Sequence, residues 1–460
     1  MKNILFVSLG CDKNLVDSEK MLGLLTEGGY NIVDREDLAD VIVVNTCCFI
    51  HDAKEESINT ILEMASWKQK GRLKGLIVTG CLAQRYADEM EKEIPEVDAI
   101  VGTTGYTDIV SVADRLIESR DEVEEREEDK AVIRCLPSID LLPDALPDKR
   151  IISSGSGTAY LKIAEGCNKN CTYCVIPSVR GSYRSFPMEE LVQEAELLAE
   201  GGVRELILVA QETTVYGVDL YGRKCLPELL KKLSGIEGIR WIRLLYCYPE
   251  EITEELISVI KEEPKICHYL DMPIQHSEDR ILRLMGRRTT KNELTCRINR
   301  LREVIPDITL RTTLITGFPG ETEEEFEKML EFVDQMEFAR LGVFPYSEEE
   351  GTPAAGMDGQ IPEKVRQERR DRIMELQQEI SLAISESCIG KEMDVLIEGY
   401  LYEEDIYIGR TTMDAPKVDG NVFVRSPEEL VSGDIVSVRI DAASEYDLIG
   451  DVIYADEFTK

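Results

Sequence analysis

Over the first 115 residues, short apolar runs alternate with stretches whose apolar residues recur at helical spacing. The runs Ile4–Ser8, Val41–Asn45 and Gly75–Thr79 are rich in β-branched residues and predict buried strands. The amphipathic stretches Ser18–Glu27 and Lys54–Ala65 predict helices between them. Strands and helices that alternate in this way are typical of a parallel α/β sheet.

From about residue 151 the chain alternates again, with longer units. The amphipathic stretches Met188–Glu200 and Glu323–Met336 predict long helices, and the periodic stretch Lys364–Ser387 ends the series. Repeated βα units of this length predict a full or partial (β/α) barrel. Its predicted strands are Ala159–Ile163, Glu205–Ala210, Trp241–Tyr246, His268–Met272 and Thr309–Thr313.

After residue 388 the pattern changes to short alternating strands separated by Gly and Asp turns, which predicts a small antiparallel β-barrel. Its predicted strands are Val395–Ile397, Ile406–Arg410, Val422–Val424 and Ile435–Ile440. The whole chain is therefore predicted to be an α/β multidomain protein. Its segments are a parallel α/β sheet domain over 1–115, an acidic linker over 116–150, a partial (β/α) barrel core over 151–388 and the β-barrel over 389–460.

The linker is predicted from Glu118–Lys130, which is almost entirely charged, and from the proline-containing segment Cys135–Pro147. An exposed helix end is an equally good interpretation of the charged stretch.

The N-terminus has two interpretations. Met1 and Lys2 precede the apolar run Ile4–Val7 and then Cys11, which superficially resembles a lipoprotein signal. That run is shorter than the roughly 7–15 apolar residues of a signal sequence, and polar Asp12–Asn14 follows, so a buried first strand is favoured. No apolar run approaches the roughly 18 residues that a membrane helix needs. We therefore expect a cytoplasmic protein with no membrane association.

The chain is strongly acidic, with 53 basic and 89 acidic residues and a net charge of −36. Such a surface repels a phosphate backbone, so direct RNA binding is disfavoured and a basic protein partner is easier to accommodate. The alternative is that the acidity only aids solubility. Residues 391–460 alone contain 17 acidic and 6 basic residues, a net charge of −11.

Thirteen cysteines are spread over the chain without a predicted export signal. In a reducing compartment we expect ligands, nucleophiles or buried thiols rather than disulfides. Five cysteines that stand alone are predicted to be small core residues: Cys225, Cys247, Cys267, Cys296 and Cys388.

Three cysteines lie within eight residues, just after the first predicted barrel strand. Cys167, Cys171 and Cys174 have C-x3-C-x2-C spacing, which lets three thiolates hold a cubane iron–sulfur cluster. Because a fourth thiolate is lacking, one iron keeps an open coordination position, as catalytic metal sites require. The histidines that could close a zinc site instead lie elsewhere in the sequence: His51, His268 and His276.

A second set of cysteines, Cys11, Cys47 and Cys81, follows the predicted strands of the N-terminal sheet. The carboxyl ends of parallel strands meet at one edge, where ligands bind, so these thiols can converge. Three unrelated buried cysteines are the alternative, but their equivalent positions favour a second three-thiolate cluster. Cys48 is a competing ligand. Adjacent residues point in different directions, and Cys47 better matches the other two positions.

The triplet matches the signature of the radical S-adenosylmethionine (SAM) enzymes, with the aromatic Tyr173 before the third cysteine. Over essentially the whole chain, the sequence resembles the methylthiotransferase family. In that family an N-terminal three-cysteine domain, a radical SAM core and a C-terminal TRAM β-barrel follow one another. The matching motifs are Ser8–Glu19, Val44–Cys47, Thr79–Cys81, Cys174–Gly181 and Thr316–Thr322.

The resemblance implies an enzyme that replaces a C–H bond with C–S–CH3. It implies two 4Fe–4S clusters, one on each cysteine set, and two SAM molecules, one donating methyl and one supplying a 5′-deoxyadenosyl radical. The transferred sulfur would be carried on the second cluster. One branch of the family modifies a tRNA adenosine next to the anticodon, and another modifies an aspartate β-carbon in protein twelve of the small ribosomal subunit. Motifs at Ser8–Glu19, Phe49–Leu62 and Gly409–Gly420, together with the acidic barrel, favour the ribosomal-protein branch.

The resemblance also implies a SAM pocket at the carboxyl ends of the barrel strands. For each residue taken singly, structural hydrogen bonding is an equal alternative to cofactor contact. No catalytic residue is firmly assigned. Glu212 stands where the family usually has Asp, and Cys48 where this branch usually has Gly. The candidate cofactor-binding residues are Tyr173, Gln211, Glu212, Gln275 and Arg288, with His276 in the same motif as Gln275.

Two other functions stay open on the sequence. One is tRNA methylthiolation, and the other is a non-enzymatic iron–sulfur protein that transfers electrons. Simple electron carriers ligate all their irons, so the open positions argue against the second. The expected partners are a basic ribosomal protein as substrate and an electron donor such as flavodoxin or ferredoxin.

Overall fold

The computed structural model describes residues 2–70, 73–121, 131–142, 150–155 and 157–453. The chain forms two compact units. The first consists of Met1–Ser153, Ala164–Phe186 and Ser347–Ala355, and the second of Ser154–Ile163, Pro187–Tyr346 and Gly356–Lys460. These packing units cut across the predicted sequence segments, whose boundaries stay predictions.

The first unit contains a six-stranded, all-parallel sheet with the strand order β2-β1-β3-β4-β5-β6. Its strands are β1 (Lys2–Ser8), β2 (Tyr30–Val33), β3 (Val41–Thr46), β4 (Gly75–Gly80), β5 (Ala99–Val101) and β6 (Ile133–Cys135). Its helices are α1 (Asp12–Glu27), α2 (His51–Ser66), α3 (Cys81–Arg85), α4 (Ala87–Glu93) and α5 (Ile109–Asp121).

Helices cover both faces of this sheet, which explains why its central strands are apolar throughout. In β3, Ile42 and Val44 point into one core cluster, which contains Ile61 of α2. Val41 and Val43 point into the opposite cluster, formed with α1 and α5. Because side chains alternate along a strand, a strand buried on both faces reads as a continuous β-branched run.

The three strands predicted in this region are confirmed, whereas β2, β5 and β6 were not predicted. The strand β6 falls inside the predicted linker over 116–150 and pairs with β5. It has only three residues, none fully buried, so it leaves little periodic signal. Residues 122–130 of the charged stretch and 143–149 of the proline-containing segment lie outside the described residues.

The segment with C-x3-C-x2-C spacing follows β7 (Thr158–Lys162). It is bracketed by the antiparallel pair β8 (Ala164–Glu165) and β9 (Arg184–Ser185), with α6 (Ile176–Arg180) between them. Val175 and Val179 pack into the core of the first unit, and the Ala354 amide donates to the Thr172 carbonyl oxygen at 2.9 Å. This segment therefore folds with the N-terminal sheet.

The second unit contains another six-stranded parallel sheet, with the order β14-β13-β12-β11-β10-β7. Repeated strand–helix units form it, as in a partial (β/α) barrel. Besides β7, its strands are β10 (Glu205–Val209), β11 (Trp241–Leu244), β12 (Ile266–Asp271), β13 (Thr309–Thr316) and β14 (Arg340–Pro345). Its helices are α7 (Met188–Glu200), α8 (Val218–Tyr221), α9 (Leu226–Ser234), α10 (Glu254–Glu262), α11 (Asp279–Leu284), α12 (Lys291–Val304), α13 (Glu323–Met336) and α14 (Glu363–Glu386).

A closed five-stranded barrel ends the described chain, in the order β15-β16-β17-β19-β18. Four of its five pairings are antiparallel, as predicted, and β17 pairs with β19 in parallel. Its strands are β15 (Glu392–Leu401), β16 (Ile406–Arg410), β17 (Val422–Arg425), β18 (Ile435–Ala443) and β19 (Leu448–Val452).

The barrel segment 410–419 packs against the amino-terminal halves of the parallel strands through buried ion pairs. Glu205, the first residue of β10, accepts from Arg243 Nε at 2.8 Å and from Arg410 Nη2 at 2.7 Å. Arg340, the first residue of β14, donates to Asp414 Oδ1 at 2.6 Å. These contacts join barrel and sheet into one unit. They lie at the amino-terminal end of the strands, and the carboxyl edge, where active sites of such sheets lie, is at the other end.

Four of the five isolated cysteines are buried, as predicted, but Cys296 is exposed on α12, so its assignment to the core was wrong. That helix is polar on much of its surface, with only three buried residues, and Cys296 lies outside the apolar stripe. In the part of the chain that the structure describes, no helix combines the length and the apolarity needed to cross a membrane.

Candidate cysteine-lined site

Three turns at the carboxyl edge of the N-terminal sheet carry Cys11, Cys47 and Cys81. Cys11 precedes α1, Cys47 follows β3, and Cys81 begins α3 directly after β4. Glycines make two of these turns possible. Gly10 and Gly80 have φ of +86° and +91°, where side chains are strained. A Cβ on Gly10 would lie 2.8 Å from the Cβ of Cys47, which shows how closely these turns approach.

The side chain of Asn14 joins these turns. Its Nδ2 donates to the carbonyl oxygens of Leu9 at 3.3 Å and Thr46 at 2.9 Å, in the turns of Cys11 and Cys47. Its Oδ1 accepts from the Cys81 thiol at 3.7 Å. One buried amide thus contacts all three cysteine-bearing turns.

Burial opposes the ionisation of two of these three thiols, those of Cys47 and Cys81. Burial, together with the neighbouring thiols of Cys81 and Cys11, raises the pKa of Cys47 to about 12. Burial likewise raises the pKa of Cys81. Clustered thiols that resist ionisation alone become good ligands once a metal cation supplies the missing positive charge. The donor set and its spacing over three strand ends therefore fit a metal cluster.

Cys48 faces a different environment from Cys47. It is 1% exposed, lies in an apolar core cluster, and its neighbours include Arg85 of α3. Burial raises the pKa of Cys48, as do Cys81 and Cys47, whereas Arg85 lowers it. Gly10 lies against Cys47. The geometry therefore favours Cys47 over Cys48 as the partner of Cys11.

The second cysteine set lies in the same compact unit. The backbone amides of Lys169 and Ile176 donate to the sulfurs of Cys167 at 3.4 Å and Cys174 at 3.5 Å. Burial, together with the neighbouring Cys171 and Cys167, raises the pKa of Cys174 to about 12. Amides aimed at sulfur stabilise bound thiolates, so this loop also fits an iron–sulfur cluster.

Among the described residues, no three His, Cys, Asp or Glu side chains are close enough together to hold a single metal ion. Cysteines that hold a cubane cluster each bind a different iron, so they stand further apart than the ligands of one ion.

A buried arginine connects the two cysteine regions. Arg180 of α6 is 2% exposed, and its Nη1 donates to Asp17 at 2.8 Å and to Glu165 at 2.9 Å. Its Nη2 donates to Oδ1 of Asn14. Burial lowers the pKa of Arg180, but the electrostatic effect of Cys81, Glu165, Asp17 and Cys11 outweighs it and raises that pKa above its usual value.

Three of the predicted SAM-binding residues lie at the carboxyl edge of the sheet in the second unit. Gln211 and the buried Glu212 follow β10, and Oε1 of Glu212 accepts from the Thr214 amide at 3.0 Å. Gln275 follows β12 and has φ of +70°, which is a strained conformation. Its backbone amide donates a hydrogen bond to the Thr313 carbonyl oxygen at 2.8 Å, which holds this conformation. Backbone strain of this kind clusters at functional sites.

The other candidates are placed less favourably. Arg288 is exposed, and it is the adjacent Arg287 that is buried, stacking 4.1 Å over the Tyr248 ring. His276 is fully buried; Nδ1 accepts from the Glu278 amide at 3.0 Å and Nε2 lies 3.4 Å from Glu321. Tyr173 is partly buried beside the cysteines of its loop.

The sequence interpretation missed Arg180 and the three polar residues around it, although each lies in or beside a recognised motif. Their burial could not be read from a single sequence. The clue available was the i, i+3 spacing of two polar residues on α1, directly after Cys11. The residues are Asn14, Asp17, Glu165 and Arg180.

Three family models match consecutive parts of the chain. They are the uncharacterized protein family UPF0004 over residues 3–102, the radical SAM superfamily over 161–333 and the TRAM domain over 389–453. Curated relatives match almost the full length. The ribosomal protein uS12 methylthiotransferase RimO of Lachnoclostridium phytofermentans is 59% identical over 97% of this chain and 99% of its own. The chain belongs to the RimO family.

Other relatives agree. The RimO protein of Clostridioides difficile is 51% identical over 99% of this chain and 99% of its own. Membership of the RimO family makes this chain a radical SAM methylthiotransferase, which confirms the predicted family and enzyme class. It also brings an iron–sulfur cluster and SAM as cofactors.

Solved structures outside the RimO family share the fold. The radical SAM methyltransferase TsrM from Kitasatospora setae, with cobalamin and a [4Fe-4S] cluster bound, has a TM-score of 0.54 at 16% identity, over 85% of this chain and 79% of TsrM. The cobalamin-dependent SAM radical enzyme OxsB has a TM-score of 0.54 at 11% identity, over 82% of this chain and 56% of OxsB. At such identities the likeness shows the fold alone, and the predicted fold class is confirmed.

Proposed function

We propose that this chain methylthiolates the β-carbon of an aspartate in ribosomal protein uS12, with SAM as both methyl donor and radical source. The observation that carries the proposal is the presence of two three-cysteine sets within one compact unit, in a chain whose relatives are uS12 methylthiotransferases.

In this proposal Cys167, Cys171 and Cys174 hold one 4Fe–4S cluster, and a second is held by Cys11, Cys47 and Cys81. When bound, the first would supply the electron that cleaves SAM into methionine and a 5′-deoxyadenosyl radical, and the second would carry the sulfur to be transferred. The chain's own residues fix the ligands. The amides of Lys169 and Ile176 orient the first cysteine set, and Asn14 orients the turns of the other.

The carboxyl edge of the second unit has the polar groups to bind SAM. Gln211, Glu212 and Gln275 sit where (β/α) folds place their ligands. Tyr173 directly precedes the third cysteine of its loop. Glu212 is held by Thr214, so its carboxylate keeps a fixed orientation for the ammonium or ribose of SAM. Arg288 is the weakest of the candidates because it is exposed.

The surface of the barrel favours a cationic protein partner over RNA. At the β15–β16 hairpin, the Tyr400 ring contacts those of Tyr402 and Tyr407 at 4.9 and 4.8 Å, and Tyr402 is 87% exposed. The turn between the strands contains Glu403–Asp405. Aromatic faces and carboxylates attract Lys and Arg side chains, whereas this surface repels phosphate.

The test offers both substrates to the same enzyme. The full chain is reconstituted anaerobically with iron and sulfide, then incubated with SAM, a reductant and either purified uS12 or tRNA. We expect uS12 to gain the mass of a methylthio group on one aspartate, with 5′-deoxyadenosine released. Modification of tRNA but not uS12 would instead support the tRNA branch.

Two cysteine variants divide the roles. Replacing Cys167, Cys171 and Cys174 with Ala should abolish 5′-deoxyadenosine formation, whereas replacing the strand-end set should retain it and stop sulfur insertion. We expect about eight irons per wild-type chain and about four in either variant. A low-potential donor of the flavodoxin or ferredoxin type would supply electrons, and the reaction would take place in the cytoplasm, where uS12 is made.

A further inference from the structure

The guanidinium of Arg180 is an unusual component for the interior of a protein. It is buried with two carboxylates, Asp17 from α1 and Glu165 from β8, at 2.8 and 2.9 Å. The guanidinium therefore lies between two carboxylates in a site screened from water. Buried ion groups of this kind cost desolvation energy and are weak evidence for stability alone.

The position of Arg180 points to a more specific role. It lies six residues after Cys174, at the end of α6, yet its guanidinium reaches Asn14. Through Asn14 it is one hydrogen bond from the backbone of the Cys11 and Cys47 turns and from the Cys81 thiol.

We propose that Arg180 is the positioning residue of the strand-end cysteine site, holding Asn14 in place while its charge sets the reduction potential of the cluster bound there. The inference rests on the proposed function, because it requires a cluster on Cys11, Cys47 and Cys81. It goes beyond that function because Arg180 lies in the segment of Cys167, Cys171 and Cys174 but would position the site of the other three cysteines.

The charges in this group have opposite expected effects. The potential of an iron–sulfur cluster depends on nearby charge, because reduction adds an electron. A buried cation therefore favours the reduced cluster and a buried anion disfavours it, with little screening. Removal of the charge of Arg180 should lower the potential, whereas removal of the charge of Asp17 or Glu165 should raise it.

The experiment isolates the strand-end site in the full chain. In a background with Cys167, Cys171 and Cys174 replaced by Ala, the chain is reconstituted and iron content, the EPR spectrum and the midpoint potential are measured. Arg180→Gln, Asp17→Asn and Glu165→Gln are then added singly. We expect the midpoint potential to fall for Arg180→Gln and to rise for Asp17→Asn and Glu165→Gln. Each shift should reach a tenfold change in the reduction equilibrium, about 59 mV for one electron.

Opposite signs distinguish tuning from loosening of the site, since a purely structural role would move all three variants the same way or not at all. Arg180→Lys separates charge from geometry. It should keep a potential near wild type but bind less iron, because lysine lacks the planar guanidinium that reaches Asn14 and both carboxylates. If Arg180→Gln fails to fold, the isosteric Asp17→Asn and Glu165→Gln variants still decide the sign.

The outcomes separate the two hypotheses. If the triple-Ala background binds no iron, the second cluster of the proposed function is wrong, and this inference falls with it. If it binds about four irons but the charge variants leave the potential unchanged, only the role of Arg180 is overturned.

Discussion

Substitution of Glu205 by Gln should destabilise the second unit selectively. The Glu205 carboxylate is fully buried between Arg243 and Arg410, at 2.8 and 2.7 Å. Gln keeps the shape but removes the only charge that the side chain contributes. Two buried guanidinium groups would then lose their shared anion, a change of the kind that costs about 3–5 kcal/mol.

The pKa of Glu205 gives a second measure of this energy. Burial alone would raise that pKa, but Arg410 and Arg243 lower it to about 2, from 4.5. At 1.36 kcal/mol per pKa unit, the folded state favours the ionised form by roughly 3 kcal/mol. Because the folded pKa lies below the unfolded one, this contribution is complete above about pH 4.5 and is lost as the pH falls towards 2.

Tryptophan fluorescence can follow this unit separately. The chain has two tryptophans, Trp67 in the first unit and Trp241 in β11, which pairs with Glu205 across the sheet. In a Trp67→Phe background, urea unfolding of the Glu205→Gln variant should show a free energy of unfolding lower by about 3 kcal/mol. Its loss of stability between pH 4.5 and 2 should be smaller than that of the wild type, because the contribution of Glu205 is already missing.

A matched control comes from the exposed pair of Asp451 with Arg425, which lie 2.9 Å apart on the five-stranded barrel of the same unit. Asp451→Asn should change the free energy of unfolding by less than about 0.5 kcal/mol, because exposed ion pairs contribute little. A loss below 1 kcal/mol for Glu205→Gln, or equal losses for both variants, would refute the argument that burial makes the Glu205 contacts strong.

Three further predictions concern the cysteine site and the hairpin. Gly80→Ala should reduce iron binding by the strand-end site and lower stability, because its Cβ would lie 2.6 Å from the Thr46 carbonyl oxygen; wild-type iron content would contradict this. Asn14→Ala should lose about 1–3 kcal/mol, measured by Trp67 fluorescence in a Trp241→Phe background, and about half the iron; an unchanged iron count would disprove its role at the turns. Tyr402→Ala should raise the KM for uS12 about two- to fivefold while uncoupled SAM cleavage stays constant. Tyr446→Ala, an exposed tyrosine elsewhere on the barrel, should leave that KM unchanged, and equal effects would rule out the hairpin as a contact surface.

The strands that could be predicted are those buried on both faces. A strand such as Val41–Thr46 is buried on both faces, so most of its residues are apolar and the strand is visible as a continuous apolar run in the sequence. Edge strands of three or four residues show no such run, because most of their residues are only partly buried or exposed. Tyr30–Val33 and Ile133–Cys135 are examples. Their pairing depends on neighbours that lie far away in the chain.

The same physical distinction applies to the site. The cysteine triplet is a local motif and was found from spacing, and the strand-end set followed from the common edge of a parallel sheet. Arg180 and Asn14 were missed because they meet across 166 residues of chain, and nothing local marks a polar residue as buried. The burial of Arg287 and the exposure of Arg288 were not predictable for a similar reason, since neighbouring arginines look alike in sequence and differ only in packing.

The ion pairs between the barrel and the amino-terminal ends of the parallel strands limit how the barrel can be exchanged by protein engineering. The barrel is not a detachable module, because its segment 410–419 supplies partners to Glu205 and Arg340. A chimera that carries the barrel of a relative with another substrate would therefore have to keep these inward-facing residues and exchange only the outer loops. Evolution of a new substrate is under the same restriction, so the hairpin surface is free to diverge while the surface that faces the sheet is not.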